Sequence, residues 1–513
     1  MPVLTMVDIL GIQDYIFTSN RLKDIAGASH QLKTIFDVLP GPPPQNVLLK
    51  DGGNLIVEFS NEMEAKNFAE NFSSIIIRNI PGLEVIISHK SYITNGLSQA
   101  LKEIIMENGR DKTRRLPNIP LFGLGINEIC QETGLPAHKI IIENEQVEFI
   151  NEGIFKRREV LAEIKQGKRR DPWQGYLSQK FPGNKIAAFP LEIDDLGRSF
   201  GEMSMVAVVH LDANSLGENL NKFMQRCQAQ NLKDEEFAQK YKEVSNNLKT
   251  AGENALNSMM ELICNNIDYD EENDRYFLKM LDPKGFELKS DSYSFFLPMR
   301  PVVLGGDDLT FICDARIAFD LTATALRSLE TIIIDGLENI TAGAGIAIGR
   351  YHTPFFCLND KAYELAENSK IKSERKRSSL DWLMDINTAS PSLQFIRNRE
   401  YTYQGKSLTQ KPYLLGNDEG EWNWLSYKIL MRMQDDESWG KARNQLKKLM
   451  PLFRRALHEP LLKKLEQANL NLEKQHGTYN YLLDALEILD LYIPLVPQKQ
   501  EDKLNETTTT SIN

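Results

Sequence analysis

The sequence lacks closely spaced cysteines, long apolar runs and an excess of positive charge. Its five cysteines are scattered and form no CxxC motif, so neither a zinc ribbon nor a redox pair is indicated, and isolated cysteines are typical of proteins in a reducing cytosol. No apolar run approaches the ~18 residues of a transmembrane helix. The N-terminal stretch MPVLTMVDILG has neither the basic region nor the cleavage site of a signal peptide. These absences predict a cytoplasmic protein without a membrane partner.

The charge balance argues against broad nucleic-acid binding. Lys and Arg number 60 against 71 Asp and Glu, which gives a net charge of −11. An acidic chain binds nucleic acid weakly unless it has a local basic groove, and the five tryptophans form no stacking series for single strands. The length of 513 residues predicts roughly three domains.

The first hundred residues alternate between strand and helix patterns. VLTMVDIL is a strand, and the following segment has helical spacing with an interruption near Gly27. NVLLKDGGNLIVEF is typical of a hairpin with an Asp-Gly-Gly-Asn turn, and an amphipathic helix and the strand LEVIISHKSYI follow it. The order β-α-β-β-α-β predicts a ferredoxin-like unit.

The same order returns in the second half of the chain, which indicates an internal repeat. The strand MVAVVHLD ends at Asp212, and the later hairpin RPVVLGGDDLTFIC precedes a helix, the strand TAGAGIAIG and another helix. Alignment of GGNLIVEF with GGDDLTFI places Asn54 at the position of Asp307 and Leu55 at that of Asp308. Only the second copy therefore keeps the acids.

These patterns predict an α+β fold with two ferredoxin-like (βαββαβ) domains, a helical linker region and a helical C-terminal domain. The predicted bounds are 1–110 for the degenerate first domain, 111–200 for the linker, 201–388 for the GGDD domain, 389–496 for the helical domain and 497–513 for a disordered tail.

Three carboxylates are predicted to converge in the second copy. The first and third strands of such a sheet are neighbours, about 4.8 Å apart, so Asp212 meets Asp307 and Asp308. Acids at this distance suit Mg²⁺ or Mn²⁺, and two such ions promote phosphoryl transfer. Gly305 and Gly306 permit a tight turn with room for a triphosphate.

A plain hairpin turn is the alternative interpretation of GGDD, because Gly-rich turns are common. The strand ending in DANSLG, the strand order and a sister copy without acids together favour catalysis. His210 shares a strand face with Asp212 and fits either a base or a sheet-packing residue.

At these motifs the sequence resembles the large subunit of type III CRISPR effector complexes. HLDANSLG, LGGDDLTFI, AGAGIAIG and AYELAENSKIKSERKRSSLDW are similar to the second palm domain of that family, and MVDILGIQDYIFTSNRLKDIAGASHQL and KDGGNLIVEF are similar to its inactive first palm. The resemblance implies a palm that polymerises ATP, or another NTP, into cyclic oligoadenylate for anti-phage defence. It also implies RNA and other complex subunits as partners, bound through the helical C-terminal domain, and leaves a dimer open.

The resemblance also implies residue roles. Asp212, Asp307 and Asp308 would be catalytic metal ligands, joined by the main chain of Ala213. The predicted nucleotide contacts are Asn214, Ser215, Gly305, Gly306 and Lys370. Lys370 fits either a triphosphate ligand or a solvated lysine in the charged run KIKSERKR.

Two features of the family are missing from this sequence. No His-Asp dipeptide occurs in the N-terminal region, so nuclease activity is not expected. Only Cys130 remains in the stretch that resembles the zinc-binding segment, so no structural zinc is expected. Two other functions stay open: a non-catalytic nucleotide-binding scaffold of a ribonucleoprotein, and a dinucleotide cyclase related to GGDEF enzymes, whose hairpin would differ from the GGDD found here.

Overall fold

The structure is a computed structural model of the chain. It describes residues 1–37, 39–41, 43–115, 125–143, 146–177, 181, 183–197, 205–278, 286–306, 308–334, 337, 340–386, 391–416, 421–422, 448, 451–452, 463, 467, 480–489 and 491–495. Within these ranges the protein is a mixed α/β fold built around two larger sheets. Asp307, much of the predicted helical C-terminal domain and the predicted disordered tail lie outside the described residues.

The first sheet and its helices lie near the N-terminus. Their bounds are β1 (Val3–Leu10), α1 (Ile12–Ile16), α2 (Leu22–Lys33), β2 (Asn46–Asp51), β3 (Asn54–Phe59), α3 (Glu62–Asn79), β4 (Glu84–Ser91) and α4 (Leu97–Arg114). The strand order is β2-β3-β1-β4, and every neighbouring pair is antiparallel. The first strand therefore lies between the hairpin and the last strand.

The segment between the sheets contains more than helix. It holds β5 (Lys139–Glu143), β6 (Gln146–Ile150), α5 (Glu152–Lys165), a 3₁₀ turn (Gln174–Leu177), β7 (Ile186–Ala188) and a second 3₁₀ turn (Ile193–Leu196). The prediction of a helical linker over 111–200 is therefore incomplete. The runs KIIIE and QVEFI pair as an antiparallel hairpin, in keeping with the strand preference of β-branched residues.

The second sheet is larger and takes in the C-terminal part of the described chain. Its strand order is β13-β14-β8-β15-β16-β19. The elements of this half are β8 (Met205–Ala213), α6 (Leu216–Ala229), α7 (Asp234–Asn265), β9 (Ile267–Asp270), β10 (Arg275–Leu278), β11 (Phe286–Leu288), β12 (Ser294–Phe296), β13 (Met299–Gly305), β14 (Asp308–Asp314), α8 (Ala318–Glu330), β15 (Ala342–Arg350), α9 (Phe355–Lys372), β16 (Ser379–Ile386), α10 (Leu393–Glu400), β17 (Thr402–Tyr403), β18 (Lys406–Ser407), β19 (Tyr413–Leu414) and α11 (Asn480–Ile488). Because β19 pairs with β16, the region predicted as a separate helical domain also extends this sheet.

Burial explains the central strands, and close packing explains one helix that differs from the prediction. Strands β1, β8 and β15 are buried almost throughout, as their near-continuous apolar sequences require. The first helical segment is interrupted between α1 and α2 and not at Gly27, which lies inside α2. A Cβ at Gly27 would lie 2.5 Å from the carbonyl oxygen of Arg157, so glycine is needed where α5 packs against α2.

None of the helices in the described ranges is both long enough and apolar enough to span a membrane.

Candidate active site

Two adjacent strands of the second sheet, β8 and β14, bring two of the predicted acids together. Asp212, near the end of β8, lies directly opposite Asp308, the first residue of β14. His210 precedes Asp212 by two residues and therefore shares its face of the strand. One potential ligand atom from each of these three residues lies within 4.8 Å of the others. The third predicted acid, Asp307, lies outside the described residues.

Lys370 is part of this cluster. Its Nζ forms ion pairs with Asp212 and with Oε1 of Glu367, the latter at 2.8 Å, and its side chain is 2% exposed. The alternative of a solvated lysine is therefore wrong. Gly343 lies opposite Asp212 on β15, and a Cβ there would lie 2.4 Å from Cγ of Lys370. Because Gly343 has no side chain, the aliphatic part of Lys370 can pass over β15 towards Asp212.

The charges of the following basic run are on the surface. Arg375 pairs with Glu367 at 3.0 Å and Lys376 pairs with Glu374 at 2.7 Å. Arg377 pairs with Glu421. All three residues are exposed, in contrast to Lys370.

Burial shapes the electrostatics of the cluster. It raises the pKa of the Asp212 carboxyl, although the hydrogen bond and charge of Lys370 act in the opposite direction. Burial also lowers the pKa of His210 to about 4, and the Lys370 charge contributes. Burial alone would raise the pKa of Glu367, but Lys370 and Arg375 hold it below its ordinary value. At neutral pH the site therefore combines a neutral imidazole with acids and one buried ammonium group.

His210 is held by hydrogen bonds but keeps one ring nitrogen available. Its Nδ1 lies 3.0 Å from Oγ1 of Thr310 and 3.4 Å from Nε2 of Gln13, which comes from the first sheet. Its Nε2 is buried and finds no hydrogen-bond partner among the described residues. Two carboxylates with a ring nitrogen of His210 within 4.8 Å suit a divalent cation such as Mn²⁺ or Mg²⁺. The alternation of side chains along β8 was the only sequence signal for His210.

The predicted nucleotide contacts after β8 lie in the turn to α6. Ala213 is the buried last residue of β8. The side-chain nitrogen Nδ2 of Asn214 donates to Oγ1 of Thr341 at 2.8 Å and to the Arg377 carbonyl at 3.4 Å. Ser215 takes a left-handed conformation with φ of 54° at the start of α6. Asn214 therefore anchors the turn, and a nucleotide role for these residues stays a prediction.

The two Gly-Gly hairpins lie against each other, a contact that the sequence analysis did not foresee. A Cβ at Gly305 would lie 2.4 Å from Cα of Gly52. The N–H of Gly306 donates to Oδ2 of Asp51 at 2.8 Å. The first sheet therefore contacts the hairpin that carries Asp308.

The strand register corrects the predicted alignment of the two hairpins by one residue. Asn54 lies opposite Asp8 on β1 in the way that Asp308 lies opposite Asp212, so Asn54 corresponds to Asp308 and not to Asp307. The first sheet also has an ion pair on its strand acid, between the buried Asp8 and Nζ of the exposed Lys112 at 2.5 Å, whereas the lysine that pairs with Asp212 is buried. It therefore keeps the strand acid and a lysine but has an amide in place of the second acid.

A cavity opens between the two sheets beside this cluster. Asp308 and Asp51 lie in its wall together with three lysines, Lys33, Lys50 and Lys249. Burial lowers the pKa of Lys33, and the charge of Asp51 opposes the shift. Several apolar side chains complete the lining: Ile9, Ile12, Ile16, Leu32, Phe36 and Trp173. Ammonium groups next to an apolar wall suit a ligand that carries both phosphate and a ring.

A family comparison places the second sheet. Residues 205–380 match the model of the family described as Cas10/Cmr2, second palm domain. That segment contains β8, the GGDD hairpin, β15 and α9, and so every residue of the cluster. A comparison with curated proteins finds no match.

Solved structures extend the similarity to the whole fold. One is the Csm1–Csm4 subcomplex of the type III-A CRISPR-Csm interference complex, with 15% identity and a TM-score of 0.51 over 96% of this chain and 69% of that chain. An apo Csm1–Csm4 cassette gives 15% identity and a TM-score of 0.50, and a cassette in complex with one ATP gives 14% and 0.50; each covers 96% of this chain and 70% of the other. At this identity the similarity is one of fold.

Proposed function

We propose that this chain, whose residues 205–380 belong to the Cas10/Cmr2 second palm domain family, is a nucleotidyltransferase that joins NTPs, ATP first among them, into a linear or cyclic oligonucleotide. The product would serve as a second messenger in type III CRISPR-like defence. The observation that carries the proposal is the register of Asp212 and Asp308 on adjacent buried strands, with His210 completing the cluster.

The described residues suggest how the site would work. A divalent ion held by Asp212, Asp308 and His210 would activate a ribose 3′-hydroxyl and neutralise the leaving pyrophosphate. Lys370, fixed beside Asp212, would pair with triphosphate oxygens as a compact cation. The rigid strands hold the reacting groups in place, so that positioning and charge neutralisation provide most of the rate gain.

The wider assignments rest on the same proposal. Both sheets would be ferredoxin-like palms, at 1–110 and 201–388, and two NTPs would bind between them. Asp307 would join the acids, and Ala213, Asn214, Ser215, Gly305 and Gly306 would line the nucleotide site. RNA and other defence subunits would bind through the C-terminal region. The Csm1–Csm4 cassette with one ATP is a precedent for a nucleotide on this fold.

One observation favours a second function. Lys370 already pairs with Asp212, and burial raises the pKa of that carboxyl. Both effects weaken the attraction of the cluster for a cation. A nucleotide-binding scaffold subunit without turnover would have such a site. The two functions differ in whether binding of NTP and Mn²⁺ leads to a product.

The test is incubation of the protein with each NTP plus Mg²⁺ or Mn²⁺, with products resolved by mass spectrometry. We expect oligonucleotide from the wild type and none from Asp308→Asn or from the Asp307→Ala/Asp308→Ala pair. Asp268→Asn, an exposed acid on β9, is the matched control and should keep full turnover. Undiminished product from Asp308→Asn would refute the assignment. Binding of NTP and Mn²⁺ without product, with or without added RNA, would support the scaffold.

A further inference from the structure

The strand that leads into the GGDD hairpin is at the edge of its sheet. The second sheet begins with β13, which pairs with β14 on one side. The backbone groups on its other side need partners, because an unpaired strand edge is open to unwanted pairing and a buried polar group without a partner is costly. The strand has a register shift between Pro301 and Val303, and Gly306 follows its last residue in the turn, so the partners of residues 302, 304 and 306 follow from their individual hydrogen bonds.

Three side chains from the N-terminal half of the fold meet these three positions. Oγ of Ser29 donates to the Val302 carbonyl at 2.6 Å, and Nζ of Lys33 donates to the Leu304 carbonyl at 3.1 Å. Oδ2 of Asp51 accepts the N–H of Gly306 at 2.8 Å. We call the set Ser29, Lys33 and Asp51 the edge clasp. Two of its members come from α2 and one from the end of β2.

Asp51 holds the point where the strand turns into the hairpin. Gly306 has φ of +51°, a conformation that glycine takes without cost but does not enforce. Gly305 pairs with Asp308 to close the hairpin, so the position of Gly306 sets where Asp308 begins β14. The contact of Gly305 with Gly52 leaves no space for a side chain between the hairpins, and the Asp51 bond is the polar part of that contact.

We propose that the edge clasp uses the degenerate first sheet to position the acid hairpin of the second, and that Asp51 is the positioning residue of this device. The inference rests on the proposed function for its kinetic part. Asp51 acts through the Gly306 N–H and so through the distance between Asp308 and Asp212. A shift of about 1 Å in a reacting group can lower a rate by about 10²-fold, so a single backbone hydrogen bond is sufficient to matter.

Hydrogen-bond acceptance and charge make different predictions for Asp51. Asp51→Asn keeps an acceptor oxygen and removes the charge, whereas Asp51→Ala removes both. Asp268→Asn is the matched control, because it makes the same substitution at an exposed acid on β9 that does not line the cavity. A positioning role therefore predicts rescue by asparagine, and a charge or metal role does not.

The first measurement is hydrogen exchange at the Gly306 amide, resolved by fragmentation mass spectrometry. We expect Asp51→Ala to accelerate exchange about tenfold, the order of one lost charge-assisted hydrogen bond, and Asp51→Asn and Asp268→Asn to stay near wild type. Unchanged exchange in Asp51→Ala would overturn the clasp whatever the protein catalyses.

The second measurement is steady-state turnover of ATP by the same variants. We expect Asp51→Ala to lower kcat about tenfold with KM for ATP within about twofold, and Asp51→Asn to recover at least half of the wild-type kcat. Equal kcat in Asp51→Ala, or no recovery in Asp51→Asn, would overturn the positioning role.

The two proposals fail in different ways. A wild type without turnover counts against the proposed function alone. In that case Mn²⁺ affinity, measured by calorimetry, replaces kcat as the readout. A threefold or greater loss of affinity in Asp51→Ala but not in Asp268→Asn supports the clasp, and equal affinities overturn it.

Discussion

Lys370 determines what the carboxylate cluster can bind. Its ammonium group is almost fully buried and pairs with Asp212 and Glu367, so it competes with any cation for Asp212. The attraction between two such opposite charges in a partly buried site amounts to several kcal/mol before screening by salt. The same ammonium group is well placed to pair with triphosphate oxygens once a nucleotide binds. Lys370 would then assist binding at the site and no longer oppose it.

Replacement of Lys370 by methionine should separate these two effects. Without the ammonium group, we expect Mn²⁺ to bind at least about threefold more tightly, because Asp212 loses its competitor. Turnover should fall at least about tenfold, because the triphosphate loses a cation. Calorimetry with Mn²⁺ and initial rates with ATP measure the two quantities.

Lys376→Met is the control for Lys370→Met, since Lys376 is exposed and pairs with Glu374. It should change neither the Mn²⁺ affinity nor the rate by more than about twofold. Weaker Mn²⁺ binding in Lys370→Met would show that the lysine supports the cation site and does not compete for it.

Among the elements, the β15–α9 pair brings Lys370 to the sheet. The motif AGAGIAIG leaves Gly343 and Gly345 beneath α9, where a Cβ would lie 2.4 Å from Cγ of Lys370 and 2.0 Å from the Ala362 carbonyl oxygen respectively. The alternate glycines therefore allow α9 to approach β15 closely, and the position of Lys370 in the cluster depends on this approach.

Gly343→Ala should damage both stability and turnover. The added methyl group meets Lys370 and Ser369, the latter at 2.7 Å from Oγ, so overpacking should cost about 1–3 kcal/mol in the free energy of unfolding. Because Lys370 must move, turnover should fall by more than the loss of folded protein explains. Denaturant unfolding and initial rates at a temperature well below the transition test this.

Gly217→Ala provides the comparison for Gly343→Ala. A Cβ at Gly217 meets nothing within 4 Å, and alanine is the better helix former by up to about 1 kcal/mol. Equal behaviour of the two variants would mean that α9 is free to shift and that the glycine contact does not position Lys370.

The first hairpin supplies the complementary test. Asn54→Asp is nearly isosteric and restores an acid opposite Asp8, which Lys112 already pairs with. We expect turnover within about twofold of wild type, because the hairpin keeps its shape and the reacting acids are those of the second sheet. A loss or gain beyond about tenfold in initial rate would mean that the first sheet takes part in the chemistry.

The two Gly-Gly hairpins differ in a way that their shared dipeptide does not indicate. Strand order placed Asp212 beside the GGDD hairpin, because an apolar strand and a hairpin leave few alternatives. The register was wrong by one residue: Gly52 and Gly53 are both turn residues with φ of +61° and +78°, whereas Gly305 belongs to β13. Identical dipeptides therefore occupy different places. The Asp51 contact depends on the packing of two sheets, which no local pattern encodes.

At the scale of the whole molecule, the C-terminal part of the described chain is tied to the second sheet. The Tyr492 hydroxyl shares its one proton with the Asp320 carboxylate on α8, lying 2.7 and 2.8 Å from its two oxygens, and the Leu495 N–H donates to Oδ2 at 2.7 Å. The Ile493 N–H donates to the Arg316 carbonyl at 2.9 Å. Helix α8 and Arg316 just before it are therefore held by sequence far beyond residue 388.

The environment of Asp320 should make the free energy of unfolding depend on pH in a predictable direction. Burial raises the pKa of Asp320 to about 6, against the hydrogen bonds that favour the carboxylate. The folded state then holds its proton more tightly than the unfolded state, so this group's contribution to stability falls as pH rises from about 4 to about 6. Asp320→Asn lacks this titration, and its free energy of unfolding relative to wild type should rise by roughly 1–3 kcal/mol between pH 4 and pH 7. Urea unfolding of both proteins across this range measures the difference, with Asp268→Asn as the exposed-acid control. Parallel pH curves for wild type and Asp320→Asn would show that the carboxyl is not held in the environment that these contacts define.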